Sequence, residues 1–146
     1  MVETYTNILV AVDGSDLNRC AVRDAVCVAK SMNAKLTAIY VVTGADLKPN
    51  AFGGDVSASE RAGIAHKSAD EAFKQVVSDC NQAGIDLKTI IANGNPASEL
   101  IKLSEEYDLI VCGSLGASGL SKVLMGSVST ELVKHSKCPI LISRRS

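Results

Sequence analysis

Apolar residues along this chain alternate between short unbroken runs and stripes spaced three or four residues apart. Ile8 to Val12 (ILVAV) is an unbroken, largely β-branched run, the pattern of a strand buried on both faces. It stops at Asp13-Gly14-Ser15, a turn and helix-start signal with Ser15 as N-cap. Ala21, Ala25, Val28 and Met32 then fall at helical spacing and predict a helix ending near Asn33. Leu36 to Val42 is a second strand, and Thr43 to Ser57, with three glycines and Pro49 but no period, is read as a loop. Ala65, Ala69, Ala72, Phe73, Val76, Val77 and Cys80 define a long second helix with Gly84 just past its end.

Ile85 to Ile90 alternates more than the other strands, which places it nearer a sheet edge. Asn95 caps a third helix with Pro96 in its first position. Asp108 to Cys112 is another buried strand, followed by a Gly/Ser-rich segment and a helix from about Ser127 to Ser136. Cys138 to Ile142 closes the chain as a strand whose Pro139 places it at an edge. Strands alternating with helices in this way predict an α/β fold. It is a single domain over residues 1–146, a doubly wound, Rossmann-like five-stranded parallel sheet with helices on both faces. Ligands of such sheets sit outside the carboxyl ends of the strands, at the switch point in strand order. The candidate segments are therefore Asp13, Val41 onward and Gly113 onward.

Composition narrows the classes. Hydrophobic residues make up 47% of the 146 positions and aromatic residues only 3%, so the predicted core is aliphatic. A formal net charge of −1 supplies no global attraction for nucleic acid or an anionic membrane. No apolar run approaches the ~20 residues of a membrane-spanning helix, and the polar Met1 to Thr6 does not resemble a signal peptide. The expected location is the cytoplasm. The five cysteines, Cys20, Cys27, Cys80, Cys112 and Cys138, include no CxxC pair and are read as buried, reduced thiols.

The most informative stretch is Gly113-Ser114-Leu115-Gly116-Ala117-Ser118-Gly119, continuing to Gly126-Ser127-Val128-Ser129, with the skeleton G-x2-G-x9-G-S. Glycine after a buried strand admits close approach of a ligand to the backbone and permits positive φ. Successive free N–H groups form an anion nest, and a helix start near Gly126-Ser127 adds the positive end of the helix dipole. The Ser127 hydroxyl either caps that helix or donates to a phosphate oxygen. Lys122 is the one cation within the segment, so a triphosphate calls for Mg²⁺ to balance its charge. Neither the G-x4-G-K-[ST] nor the G-x-G-x-x-G motif occurs.

On these residues the chain resembles the universal stress proteins. Asp108 to Ile142 is similar to their C-terminal signature and Ile8 to Ser15 (ILVAVDGS) to their opening strand. The resemblance implies the ATP-binding subgroup, whose glycine pattern is complete here. It implies that Asp13 bonds the ribose or adenine and that Val12 and Val41 line the adenine edge. Gly113, Ser114, Gly116, Gly126, Ser127 and Val128 then hold the phosphates, the glycines largely through backbone N–H groups. The implied ligand is ATP or ADP, and the implied assembly is a homodimer through Cys138–Ile142, with a regulatory protein partner that the sequence does not identify. Many relatives carry His and a basic residue inside the loop where this chain has Leu115 and Ala117, and loss of that cation is expected to weaken affinity or raise dependence on metal.

The expected function is a sensor or regulatory module of stress or energy state, with at most slow ATP hydrolysis and no catalytic residue or protein metal site assigned. Two other readings use the same residues. One is a true ATPase or phosphotransferase in which Asp13 positions metal or water; the other is an interaction protein in which the glycines are only structural. His66 and His135 fall on helices amid polar neighbours, His135 near a helix end where it complements the dipole. No His/Cys/Asp cluster has zinc-ligand spacing, and no G-x-S-x-G elbow makes a serine nucleophile.

Overall fold

The computed structural model describes residues 4–43, 57–114 and 126–144. Among these, β1 (Asn7–Ala11), β2 (Lys35–Val42), β3 (Leu87–Asn93), β4 (Leu109–Gly113) and β5 (Ile140–Ser143) form one sheet. Their order is β3-β2-β1-β4-β5 and every neighbouring pair is parallel. The connecting helices are α1 (Arg19–Met32), α2 (Ala58–Ala83), α3 (Pro96–Leu103) and α4 (Ser127–His135).

Period-2 alternation along the strands divides the core in two. Ile8, Val10, Leu36, Ala38 and Tyr40 point to one face and pack with Ala21, Val22 and Ala25 of α1 and Ala69, Phe73 and Val76 of α2. Leu9, Ile39 and Ile110 point to the other, against Leu100 of α3 and Leu132 of α4. Each fully buried Val, Leu or Ile side chain contributes about 1.5–3 kcal/mol. Helices on both faces explain why the central strands read as continuous apolar runs.

At the amino ends of the strands, Asp108 fastens β1 to β4. Its Oδ2 accepts from Thr6 N at 2.8 Å, Thr6 Oγ1 at 2.9 Å and Asn7 N at 2.9 Å. These bonds, the Thr6 backbone N–H first among them, hold the carboxyl below its ordinary value.

Several boundaries differ from the sequence reading. The third strand is an edge strand as expected but runs Leu87–Asn93, because Gly84 and Ile85 both close the end of α2 by donating to the Cys80 carbonyl. α2 starts at Ala58, well before Ala65: Ser57 Oγ accepts from Glu60 N while Glu60 reaches back to Ser57 N, a capping box. Ser15 caps a 3-10 turn over Asp16–Asn18, and α1 follows from Arg19. β5 begins at Ile140, and Pro139 precedes it, offering its carbonyl to Ile110 N at 3.1 Å.

The cysteines divide as well. Cys80 and Cys112 are buried, Cys20 and Cys138 are intermediate and Cys27 is exposed. Burial pushes Cys80, with Asp79 adding to it, and Cys112 each up to about 11.

Candidate functional site

The switch point of this sheet lies between β1 and β4, because β1 is followed in sequence by β2 on one side and pairs with β4 on the other. The carboxyl ends of these strands carry Ala11 to Asp13 and Gly113 to Ser114, and α4 starts beside them. Val41 lies at the carboxyl end of β2 and packs, half-buried, on the same cluster as Ala11 and Val128. Val12 is 4% exposed and belongs to the cluster on the opposite face. Its side chain is core, so only its backbone is open to a ligand. That N–H already donates to the Ile39 carbonyl at 3.0 Å.

The turn after β1 is built by its own side chains. Asp13 Oδ1 accepts from Ser15 N at 2.9 Å and from Ser15 Oγ at 2.7 Å, a local Asx turn. Gly14 between them has φ +80, where a side chain is strained, and a Cβ there would meet Ala72 Cα at 3.5 Å. Asp13 Oδ2 has no hydrogen-bond partner among the described residues and remains available as an acceptor.

Asn18 holds this turn against the strand. It is 6% exposed, its Nδ2 donates to the Ala11 carbonyl at 2.9 Å, and its Oδ1 accepts from Asp13 N at 3.2 Å. Sequence reasoning passed over Asn18, although an Asn in the first turn after a strand-end Asp-Gly-Ser is a residue type suited to bonding both backbone groups.

Across the switch point the glycine segment leaves Gly113, the last residue of β4. Ser114 N donates to the Ser143 carbonyl at 3.0 Å, and the Ser114 carbonyl accepts from Gly126 N and from Ser129 Oγ. Both described ends of the segment are thereby tied together. The two described glycines of the segment, Gly113 and Gly126, do not use the positive φ that glycine permits: Gly126 has φ −78 and ψ 173, and among described glycines positive φ occurs at Gly14, Gly84 and Gly94. Gly126 is the N-cap of α4 and Ser127 its first helical residue, so Ser127 does not cap the helix.

A glycine at the cap gives the first turn no side-chain acceptor, and among the described residues none replaces it. Serine or aspartate there would occupy the free N–H groups. The Gly126 carbonyl accepts from Thr130 N at 3.0 Å and Thr130 Oγ1 at 2.8 Å. These bonds seat the start of the helix without using the N–H groups of its first turn. Ser127 is exposed, whereas Ser129 is buried and spent on the backbone. Gly116, Leu115, Ala117 and Lys122 lie outside the described residues.

No cluster of three His, Cys, Asp or Glu suited to a metal ion occurs among the described residues. His135 Nε2 lies 3.5 Å from Glu131 Oε2 in the last turn of α4, and His66 lies on α2 by Arg61, Ile91 and Asn93. His135 sits at the far end of α4 from Ser127, and His66 faces a surface cavity that Val42 also lines. Among the described residues no helix is long and apolar enough to cross a membrane.

Comparison with known proteins follows the same outline. The model of the universal stress protein family matches residues 4–144. Universal stress protein MJ0531 of Methanocaldococcus jannaschii is 33% identical over 147 residues, spanning 97% of this chain and 83% of its own length. The structure of universal stress protein UspA from Lactobacillus plantarum superposes with a TM-score of 0.79 at 29% identity, over 98% of this chain and all of that one. A universal stress protein crystallised in complex with cAMP gives 0.72 at 26% identity, over 99% of this chain and 100% of its own.

Proposed function

Because this chain belongs to the universal stress protein family, we propose that it is an ATP-binding regulatory module that reports stress or energy state. The observation that carries this reading is the α4 N-terminus. The complete G-x2-G-x9-G-S pattern opens on the last residue of β4 and closes on a glycine N-cap that leaves the first turn of α4 uncapped. The adenine end falls to Val41 and the backbone of Val12, and the ribose to the spare Oδ2 of Asp13. Gly113, Gly116, Ser127 and Val128 offer backbone N–H groups to the phosphates and Ser114 its hydroxyl, while Gly126, whose N–H is spent on the Ser114 carbonyl, serves by leaving the approach open, with Mg²⁺ sharing the charge. The relative solved with cAMP lends support for an adenine nucleotide as the ligand class.

A helix dipole alone supplies about 0.3–1 kcal/mol, up to ~2 when partly buried. Micromolar affinity needs about −8 kcal/mol, so several N–H contacts and adenine burial have to combine. The residues assigned here bind and orient, and the reading includes slow hydrolysis at most. Exposed Ser127 is a hydroxyl donor for a phosphate oxygen. The homodimer expectation rests on β5, an edge strand that pairs with β4 on one side only among the described residues. An exposed edge offers its backbone groups to a second copy. Equilibrium sedimentation tests that part directly.

The binding site is tested by the Gly113→Val, Gly126→Val double variant, with ATP titrated calorimetrically in Mg²⁺. Loss of binding with the fold retained supports the assignment, and unchanged binding overturns it.

A further inference from the structure

β5 ends on Ser143, which is 6% exposed and whose hydroxyl donates to Asp24 Oδ2 on α1 at 2.6 Å. That length is typical of a charge-assisted O–H···O⁻ bond. The Ser143 carbonyl accepts from Ser114 N at 3.0 Å, and the Ser114 carbonyl in turn accepts from Gly126 N and, at 3.2 Å, from Ser129 Oγ. A continuous series of hydrogen bonds therefore runs from a carboxylate on α1 to both described ends of the glycine segment and the first turn of α4.

Asp24 takes no part in the nucleotide contacts proposed above. It is half-buried on α1, whose neighbouring Ala21, Val22 and Ala25 are buried and apolar. Packing alone favours an apolar residue there, since a carboxylate carries a desolvation cost unless it is bonded. The Ser143 hydroxyl supplies that bond, and it does so at the residue that also receives the loop.

We propose that Asp24 is a positioning residue for the two described ends of the phosphate site, Ser114 and the α4 N-terminus, acting through Ser143; this rests on the nucleotide reading above. Asp24 fixes the last residue of β5, Ser143 fixes the start of the loop, and Ser114 sets its distance from the α4 N-cap. Free N–H groups held at a set spacing before the ligand arrives lose less freedom on binding.

The test compares Asp24→Ala, Asp24→Asn and, in case the first fails to fold, Ser143→Ala, which removes the hydroxyl and keeps the carbonyl. Amide hydrogen exchange at Ser114 and Gly126 is read without nucleotide, and dissociation constants are measured separately for ATP and for adenosine. We expect faster exchange at both amides in Asp24→Ala and Ser143→Ala. ATP binding should weaken about tenfold, with adenosine binding unchanged and Asn restoring both properties through its own acceptor oxygen. Unchanged exchange at Ser114 and Gly126 overturns the proposal, as does an equal loss of ATP and adenosine affinity. Wild-type protein that binds neither ligand refutes the nucleotide reading and the phosphate-positioning role with it; the exchange readout then still decides whether Asp24 sets the loop.

Discussion

Asn18 Nδ2 donates to the carbonyl of Ala11 at 2.9 Å, seven residues back along the chain, from a side chain that is 6% exposed. The same amide accepts from Asp13 N, so one residue fixes both the end of β1 and the turn that aims Asp13. Replacing it leaves a buried carbonyl and an N–H without their partner. Asn18→Ala is expected to destabilise the fold by about 1–3 kcal/mol and to weaken nucleotide binding by releasing the turn. Asn18→Asp loses the donor to Ala11 and should be at least as harmful. Chemical denaturation of both variants checks this, and wild-type stability in either would refute the clamp.

Asp108 gives the fold a pH dependence at acid. Its folded value lies below the ordinary 3.8 because Thr6 and Asn7 bond the charged form. The contribution is therefore fully present above that ordinary value and is lost as pH falls through the lower, folded one. The carboxylate is open to solvent, so its bonds together are worth about 1 kcal/mol rather than their sum. Asp108→Asn should be less stable at pH 7 by that amount and show a shallower loss of stability below pH about 4. Urea midpoints at pH 7 and below decide it; parallel curves for the two proteins would contradict the account.

Cys80 and Cys112 act at the other end of the scale. Each is pushed up to about 11, chiefly by burial, so the folded protein keeps both protonated when the unfolded chain has begun to ionise. Their contribution is complete below the ordinary thiol value and disappears as pH rises through the folded one, so stability should decline above pH about 9. In the native protein at pH 8, exposed Cys27 should react with a thiol reagent well before Cys80 and Cys112, which should wait for unfolding. Peptide mapping of labelled protein gives the order, and early labelling of Cys112 would contradict it.

The sequence revealed the sheet more fully than the site. Continuous β-branched runs identify strands covered on both faces, and Asn95-Pro96 identifies a helix start that the Asn95 side chain indeed caps, accepting from Ser98 N at 3.0 Å. The early start of α2 was hidden because its first turns carry Ser59, Glu60, Arg61 and Gly63, which give no apolar stripe, although Ser57-x-x-Glu60 held the capping signal. Gly84 marks the end of α2 as its spacing indicates, but β3 begins two residues later than the apolar Ile85 suggests, because the Ile85 N–H closes the helix terminus.

At the candidate site, the glycine spacing singles out the segment but not the contacts of its parts. Spacing does not show that Val12 turns into the core while Val41 and Ala11 share the opposite face. Nor does it show that Gly126 caps α4 without a side-chain acceptor and with an ordinary negative φ. Contacts between distant residues, such as Asp24 with Ser143, leave no periodic trace and emerge only when the chain is folded.

The central claim is tested most directly by denaturing freshly purified protein, without added nucleotide, and separating the released small molecules by ion-pair chromatography. Near-stoichiometric ATP or ADP is the predicted result, with their ratio reporting how far hydrolysis proceeds. Protein that releases no nucleotide and gains no thermal stability from Mg-ATP would contradict it, leaving the glycine segment a structural connection in an interaction protein.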